Sequence, residues 1–282
     1  MAIELVTKFS PIVDEIFTKE SKRNLLTNQD YAFDGAHTVK VYTVTTATMN
    51  DYGRNGPAAG NWSRYGAVQG LEATTQTLTL TRDRAFTFAV DKMDVDETGQ
   101  VLNAASAVAR QTRQVVIPEV DAYVYAEMCA GAGHKPTALA LTAANIYGEV
   151  LKANTALDNA DAPETGRVLV VTPDVYMLMK QSTDIVMETD IGADMRLKGV
   201  IANLDGATVV RVSPGRLPEG FGFMLAHPVA TVAPFKLNDC KIHQDPPGIS
   251  GSLVEGRFVY DAFVLNNKKN AIYYQAQPTT EG

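Results

Sequence analysis

The sequence predicts an α+β fold, and three patterns within its 282 residues support this prediction. An apolar–polar alternation over residues 74–90 is typical of a long β-strand with one buried face. A stripe of apolar residues at helical spacing predicts a long helix over residues 97–129. After residue 141, short β-rich segments alternate with helical ones, which indicates a small unit of mixed strands and helices.

Composition places the chain among globular proteins and excludes several functional classes. Hydrophobic residues are 45% and charged residues 20% of the chain, enough for a sizeable core. No apolar run approaches the ~18 residues of a membrane helix, and the N-terminus lacks a secretory signal pattern. A net charge of −7 disfavours a dedicated nucleic-acid binder, because such proteins must neutralise phosphates. Two cysteines, Cys129 and Cys240, cannot form a disulfide framework and indicate a reduced cytosolic chain.

A glycine-rich segment separates the two β-rich runs of the N-terminal third. Residues 37–45 and 74–90 predict a long two-stranded arm, and the five glycines between them indicate a flexible or irregular tip. Arg82 and Arg84 interrupt the apolar face of the second run, so its burial is not expected to be continuous. Because an isolated two-stranded ribbon is only marginally stable, we expect the arm to lie on another chain; packing on its own domain is the alternative. The tip residues expected to make this contact belong to interface-rich and charged types: Asp51, Tyr52, Arg54, Trp62, Arg64 and Tyr65.

Hydrophobic periodicity, capping residues and proline predict the remaining elements. Residues 8–27 predict an amphipathic helix that packs either on the chain's own core or on a neighbouring subunit. Asp94 and Glu97 have the spacing of a capping box and are expected to begin the long helix, in which Pro118 predicts a kink or a join. The other predictions are helices over 142–157 and 174–180, strands over 167–172, 208–212 and within 221–234, a loop over 183–203, and a hairpin of 257–265 with 271–275.

The sequence contains no recognisable motif for catalysis or metal binding. Cys129 and His134 lie five residues apart across a predicted helix end, without the second pair that a zinc site needs. Residues 91–99 resemble the start of a calcium loop, but Ala105 stands where that loop requires Glu. We therefore predict no catalytic, cofactor-binding or metal-binding residues. A soluble cytosolic enzyme or ligand-binding domain is the alternative from a different functional class.

The order of these parts resembles the major capsid proteins of tailed bacteriophages that have the Hong Kong 97 fold. The resemblance runs over most of the chain and is strongest over residues 72–125 and 260–265. The segments that carry it read RDRAFTFAVDKMDVDET over 82–98, VIPEVDAY over 116–123 and YDAFVL over 260–265.

This resemblance implies an assignment of parts to the chain. The parts are an N-terminal arm over 1–35, an extended β-loop over 36–88, a peripheral domain with a spine helix over 89–140, an axial domain over 141–232, and return strands of the peripheral domain over 233–282. The residues that it places at the base of the extended loop and the start of the spine are Arg82, Asp83, Arg84, Asp94 and Glu97. Those that it places in an axial loop around five- and six-fold axes are Asp190, Asp194, Arg196 and Lys198.

The resemblance also implies a structural function without a cofactor. Copies of the chain would form hexamers and pentamers of an icosahedral head around double-stranded DNA, which they contact without sequence specificity. The implied partners are further copies, a separate scaffold protein, a portal and a decoration protein, with assembly in the host cytoplasm, a final location in the virion and no membrane. The separate scaffold is expected because the chain begins with Met directly at the arm. No Lys–Asn crosslink is predicted. An encapsulin-like compartment, which holds enzymes in place of a genome, is the alternative within this fold.

Overall fold

The chain divides into two compact units. One is Gly35–Thr79, which we call the β-arm, and the other is Met1–Asp34 together with Leu80–Gly282, which we call the body. The computed structural model describes residues 21–28, 31, 38–57, 60–97, 104–187 and 203–278. Most of the helix predicted over 8–27 therefore lies outside the described residues.

Strands and helices are mixed along the described chain, which confirms the predicted α+β class. The strands are β1 (Thr38–Val44), β2 (Ala73–Thr79), β3 (Arg82–Asp91), β4 (Val168–Val171), β5 (Asn203–Leu204), β6 (Ala207–Arg211), β7 (Phe221–Ala226), β8 (Thr231–Val232), β9 (Phe235–Gln244), β10 (Gly251–Tyr260), β11 (Phe263–Val264) and β12 (Ile272–Ala276). The helices are α1 (Lys92–Glu97), α2 (Ala104–Gln111), a π-helical segment (Thr112–Val116), α3 (Ile117–Gly131), α4 (Ile146–Asp158), α5 (Pro173–Gln181) and α6 (Thr183–Met187). Short 3-10 turns lie at Arg23–Leu25, Pro214–Arg216, Pro228–Ala230 and Lys269–Ala271.

A five-stranded sheet with the order β12-β7-β4-β6-β5 divides the apolar core of the body into two clusters. Strand β4 shows the division: Val168 and Val170 belong to the cluster that contains α3, while Leu169 and Val171 belong to the cluster that contains α4 and α5. All four residues are buried. Because both faces of this strand are covered, its sequence is an unbroken apolar run without alternation.

A buried arginine joins α4 to the start of β4. Arg167 donates to the side chains of Asn154 (3.1 Å) and Asp158 (2.6 Å) and to the carbonyl of Pro163 (2.9 Å). Asn154 in turn donates to the Asp205 carboxylate at 2.6 Å, in the turn between β5 and β6. Because a buried guanidinium is stable only when its donors are paired, this network fixes the helix against the sheet.

The second sheet of the body has the order β3-β10-β9 and packs one face against the long helix. Phe86 of β3 stacks on Phe258 of β10 at 5.9 Å between ring centroids. Gly256, directly opposite Phe86, leaves room for that ring, since a Cβ there would lie 2.5 Å from it. The aromatic layer thus lies between β3, β10 and the helix, where Val116 joins the same cluster.

The long helix is continuous from α2 through the π-helical segment into α3. Pro118 occupies the first turn of α3, directly after the π-helical segment. Proline fits a first helical turn because it has no N–H to donate to the preceding turn. The join predicted at Pro118 is therefore confirmed. The start predicted near Glu97 stays a prediction, because residues 98–103, between α1 and α2, lie outside the described part of the chain.

The strand predicted over 74–90 is wrong as a single element. Strand β2 pairs with β1, whereas β3 pairs with β10. Between them, the backbone N–H of Thr81 donates to the side chain of Asp261 at 2.7 Å instead of to a neighbouring strand. Arg82 and Arg84 interrupt the apolar face directly after this break, but the sequence pattern does not show that the partner strand changes there.

Three other predictions over the C-terminal half need correction. The hairpin of 257–265 with 271–275 is wrong, because β11 pairs with β8 and β12 pairs with β7. The loop over 183–203 begins instead with α6, and residues 188–202 lie outside the described part. Strand β9 was not predicted at all. Its positions are almost all exposed, so it carries little alternation.

We predict opposite effects of alanine at two helical glycines. A Cβ on Gly131, at the end of α3, would lie 2.6 Å from Val264, whereas a Cβ on Gly148 in α4 meets nothing within 4 Å. Gly131→Ala should lower the free energy of unfolding by about 1–3 kcal/mol through overpacking. Gly148→Ala should raise it by up to about 1 kcal/mol, because alanine favours helix. Urea unfolding of the unassembled subunit measures both changes, and equal signs would contradict this account of the Gly131 contact.

His227 predicts a pH dependence of stability. Its Nδ1 accepts from the Val229 N–H (3.1 Å) and its Nε2 lies 3.1 Å from the Thr165 carbonyl, which together require a neutral ring. Burial lowers the pKa of His227 below its ordinary value of 6.5, and the nearby cations Arg167 and Lys268 lower it further. As the pH falls below 6.5, the unfolded chain is therefore protonated first, and the stability contributed by the neutral ring is lost.

The comparison that isolates this effect is with His227→Gln, which cannot titrate. Denaturant unfolding at several pH values should show the stability advantage of the native chain over the variant shrinking from pH 7.5 to about pH 5. An advantage that stays constant over that range would exclude His227 as the titrating group.

Candidate assembly surfaces

Hydrogen bonds between its two sides shape the loop of the β-arm, residues 45–72. Thr48 and Gln69 form three hydrogen bonds with each other, in which the Thr48 N–H donates at 3.2 Å, the Thr48 hydroxyl at 3.5 Å and the Gln69 amide at 3.1 Å. Nearer the tip, the Gly53 N–H donates to the Arg64 carbonyl at 2.9 Å. The glycine-rich segment is irregular, as predicted, but its two sides remain paired.

The tip of this loop depends on one glycine and one aromatic pair. Gly66 has φ +91°, and a Cβ there would lie 2.8 Å from the side chain of Asn50. Asn50 donates to the Tyr65 carbonyl at 3.4 Å. The rings of Tyr52 and Tyr65 meet edge to face, 5.0 Å apart. The tip therefore presents its aromatic side chains from a defined backbone.

Exposed apolar side chains concentrate in the β-arm. Of the sixteen large apolar side chains that are exposed among the described residues, eight belong to this unit, although it spans only Gly35–Thr79. They are Tyr42, Val44, Met49, Tyr52, Trp62, Tyr65, Val68 and Leu71. Such a concentration of exposed apolar side chains favours an interaction site.

All six residues predicted at the tip lie at exposed positions. Trp62 is 85% exposed and Tyr65 78%. The structure brings Tyr52 and Tyr65 together, and Asp51, Arg54 and Arg64 are exposed in the same loop. Their contact with another chain remains a prediction.

A buried carboxylate in the body fixes the start of β3. Asp261 is 3% exposed and accepts from the N–H (2.7 Å) and hydroxyl (2.9 Å) of Thr81, from the Tyr123 hydroxyl (2.7 Å) and from the Ala262 N–H (2.8 Å). Burial, reinforced by the bond to Asp261, raises the pKa of Tyr123 to about 12, so this hydroxyl stays a donor. The Arg82 guanidinium lies 4.3 Å from the centre of the Tyr123 ring. Asp261 thus connects β3, the long helix and the C-terminal strands.

Two of the residues predicted near this point form exposed ion pairs. Arg84 donates to Glu119 of α3 at 2.6 Å. Asp83 accepts two hydrogen bonds from Arg257 of β10, at 3.0 and 2.6 Å. These pairs fix side-chain positions along β3, although exposed ion pairs contribute little to stability.

The capping box predicted for Asp94 and Glu97 is wrong. Helix α1 begins two residues earlier, and the carboxylate of Asp91 accepts from the Met93 N–H at 2.8 Å. Asp94 lies in the first turn of this short helix, and Glu97 is its last residue. Asp91 satisfies a helix-start donor because the strand delivers it there, which spacing could not indicate.

The predicted axial-loop residues cannot be placed. Asp190, Asp194, Arg196 and Lys198 all lie outside the described residues. Their assignment to this loop therefore stays a prediction.

A second buried carboxylate attaches the segment 21–28 to the body. Asp121 of α3 is 1% exposed and accepts from Arg216 at 2.8 Å and from the Ser21 hydroxyl at 2.6 Å, with Arg23 at 3.5 Å. Burial lowers the pKa of Arg23, and the charge of Asp121 opposes that shift. Leu26, fully buried, completes the attachment.

Sequence reasoning did not assign a role to either buried carboxylate. Asp121 and Asp261 stand inside the apolar segments VIPEVDAY and YDAFVL. A charged residue within an apolar run is the available signal, because such a residue is buried only when it is paired.

The described residues show neither a metal-binding cluster nor an activated thiol at Cys129. Among the described residues, no group of three His, Cys, Asp or Glu side chains could hold a metal ion. Burial raises the pKa of the Cys129 thiol to about 12, which makes it a poor nucleophile. Within the same part of the chain, the helices are too short or too polar to cross a bilayer.

Solved structures from several phages are similar in fold to this chain. A structure from Mycobacterium phage Che8 superposes with a TM-score of 0.78 at 20% identity, covering 96% of each chain. A capsid structure of the Cyanophage P-SCSP1u gives 0.74 at 15% identity, covering 98% of this chain and 93% of the other. The asymmetric unit of the bacteriophage PhiM1 mature capsid gives 0.74 at 14% identity, covering 98% and 92%. The fold is therefore the Hong Kong 97 capsid fold.

The sequence itself identifies the family. The profile of the family described as phage capsid protein matches residues 72–274, well over half of the chain, and includes both Asp121 and Asp261. Among curated proteins, none matches the sequence. The chain belongs to the phage capsid protein family and is a major capsid protein, a structural component of the virion. The encapsulin-like and enzyme alternatives are not favoured.

We predict that Asp121 is far more important for stability than an exposed aspartate in a comparable pair. Asp121→Asn leaves Arg216 and Arg23 without their buried counter-charge, which should cost about 3–5 kcal/mol of unfolding free energy. Asp83→Asn also removes an Asp–Arg pair, but an exposed one, and should leave the unfolding midpoint almost unchanged. Urea unfolding of the unassembled subunits compares the two. Similar losses would show that burial of the Asp121 pair does not determine its contribution.

Proposed function

We propose that this capsid protein builds a phage head by self-assembly into hexamers and pentamers, which close an icosahedral shell around double-stranded DNA. The observation that supports this is the concentration of exposed apolar side chains in a β-arm whose loop has a defined backbone. Such side chains gain free energy only when another surface covers them. Repeated by symmetry, modest contacts of this kind become cooperative.

The assignment of parts follows the family architecture. The extended loop, 36–88, would rest on an adjacent copy, with its base at Arg82, Asp83 and Arg84. Residues 89–140 and 233–282 would form the peripheral domain, and 141–232 the axial domain, whose loop carries Asp190, Asp194, Arg196 and Lys198 to the symmetry axes. Residues 1–35 would form the N-terminal arm.

The remaining partners belong to the same proposal. A net charge of −7 suits a container whose wall contacts DNA weakly and without sequence specificity. Assembly would occur in the host cytoplasm with a separate scaffold protein, a portal and a decoration protein. The chain would act as a structural protein without enzymatic activity.

Electron microscopy of the purified chain, with and without candidate scaffold protein, tests the proposal. We expect closed shells, tubes, or rings of five and six. A uniform monomer or dimer across salt and protein concentrations would contradict self-assembly. Shells that package an enzyme in place of DNA would assign the chain to the encapsulin-like alternative.

Trp62 provides the matching point mutation. It is 85% exposed in the subunit, so Trp62→Ala should leave the unfolding midpoint unchanged. If Trp62 is an interface anchor, its loss should cost about 2 kcal/mol per contact and raise the critical concentration for assembly at least tenfold. Met177→Ala, which truncates a 53% exposed side chain on α5, is the control and should assemble normally. Parallel losses of stability and assembly in Trp62→Ala would identify Trp62 as part of the core.

A further inference from the structure

An apolar groove lies on the body between β3 and the junction of the π-helical segment with α3. Its volume is about 170 Å³. The apolar part of its lining includes Phe86, Val115, Val116, Val120 and Phe258. A cavity of about 150 Å³ accommodates a benzene ring, so the groove has the size for one aromatic side chain.

The π-helical segment carries an exposed apolar residue, Val115, to this groove. Val115 and Val116 follow each other along the helix, and Val116 packs against the core cluster that includes Phe86. Val115 is left 46% exposed beside the groove. π-Helical turns are uncommon and occur frequently at functional sites. The position of Val115 therefore favours a contact that the isolated subunit does not make.

Polar groups at the rim complement an indole. Glu119 and Gln111 both line the groove. The Glu119 side chain is 41% exposed, and one of its oxygens accepts from Arg84 at 2.6 Å. A carboxylate has about four acceptor sites, so Glu119 can also accept from a tryptophan N–H. A buried tryptophan usually needs such an acceptor for its N–H.

The same chain supplies an occupant with this chemistry. Trp62 is the only tryptophan in the chain, and its side chain is 85% exposed. Because Arg84 also lines the groove and already pairs with Glu119, the match rests on the indole ring and its N–H donor. We propose that Trp62 of one copy inserts into the groove beside Val115 of a second copy. This inference rests on the proposed self-assembly and names the receiving surface for the β-arm.

Intrinsic fluorescence tests the insertion directly, because Trp62 is the only tryptophan that reports. In the unassembled native subunit, iodide should quench the emission as it does for an exposed tryptophan. In assembled shells, the emission should shift to the blue and iodide quenching should fall several-fold. If the emission of the subunit is already protected from iodide, Trp62 is covered by its own chain. If quenching is unchanged in shells, Trp62 is not inserted. Either result overturns the proposal.

A double-mutant cycle tests whether Val115 is the receiving site. Trp62→Ala and Val115→Ala should each raise the critical concentration for assembly. The critical concentration of the double variant should be roughly tenfold lower than the product of the two single increases predicts. Trp62→Ala combined with Met177→Ala is the control cycle and should be multiplicative. Multiplicative effects in the Val115 cycle would overturn the proposal. The same result would be obtained if another segment occupied the groove.

These outcomes separate the inference from the function on which it rests. Native chain that forms shells while Trp62 stays accessible contradicts only the insertion. Native chain that forms no ordered assembly under any condition contradicts the proposed function itself. Normal unfolding midpoints for Trp62→Ala and Val115→Ala ensure that any loss of assembly is not a loss of folding.

Discussion

The pairing of one buried carboxylate with two arginines is the interaction on which the body of this capsid protein most depends. Asp121 joins α3 to Ser21, 100 residues before it, and to Arg216, 95 residues after it. A charge in a low-dielectric interior is costly unless it is paired and hydrogen-bonded. The segments around Asp121 must therefore come together as a set. Asp261 has the same role at the start of β3, where it accepts from Thr81 and Tyr123.

The two units differ in how far they bury their apolar residues. In the body, both faces of the five-stranded sheet are covered by helices and neighbouring segments. In the β-arm, Met49, Trp62 and Val68 are almost fully exposed. The body gains free energy on folding because it buries its apolar side chains. The β-arm does not gain this free energy until a second surface covers it. In the proposed assembly, folding would therefore depend on the body and shell formation on the β-arm.

Local sequence patterns predicted the elements whose burial follows a regular pattern along the chain. Strand β4 and the helices α4 and α5 were predicted because long apolar runs and helical stripes report burial directly. The break between β2 and β3 escaped prediction because it depends on Asp261, a partner 180 residues away. Strand β9 escaped because its side chains are exposed, so hydrogen bonding to β10 alone defines it.

At the surface, too, some features could be predicted from the sequence and others could not. The aromatic and charged types at the tip indicated an exposed loop, and those residues are exposed. The groove beside Val115 could not be predicted, since it requires a π-helical turn against a strand that pairs with β10. Single residue types indicate exposure, whereas the shape of a receiving surface depends on contacts between distant segments.

The pairing of β3 with β10 also has a consequence for synthesis. Thr81 leaves the ribosome 180 residues before Asp261, its hydrogen-bond partner. At about 5–20 residues per second, that interval is roughly 10–40 s. During this time β3 has neither β10 beside it nor the carboxylate that fixes its start, and its phenylalanines lack their partner ring. Each copy therefore passes through a stage in which the unpaired edge of this strand is open to pairing with other chains. Chaperone binding to this strand during translation would protect the yield of subunits before any shell begins to form.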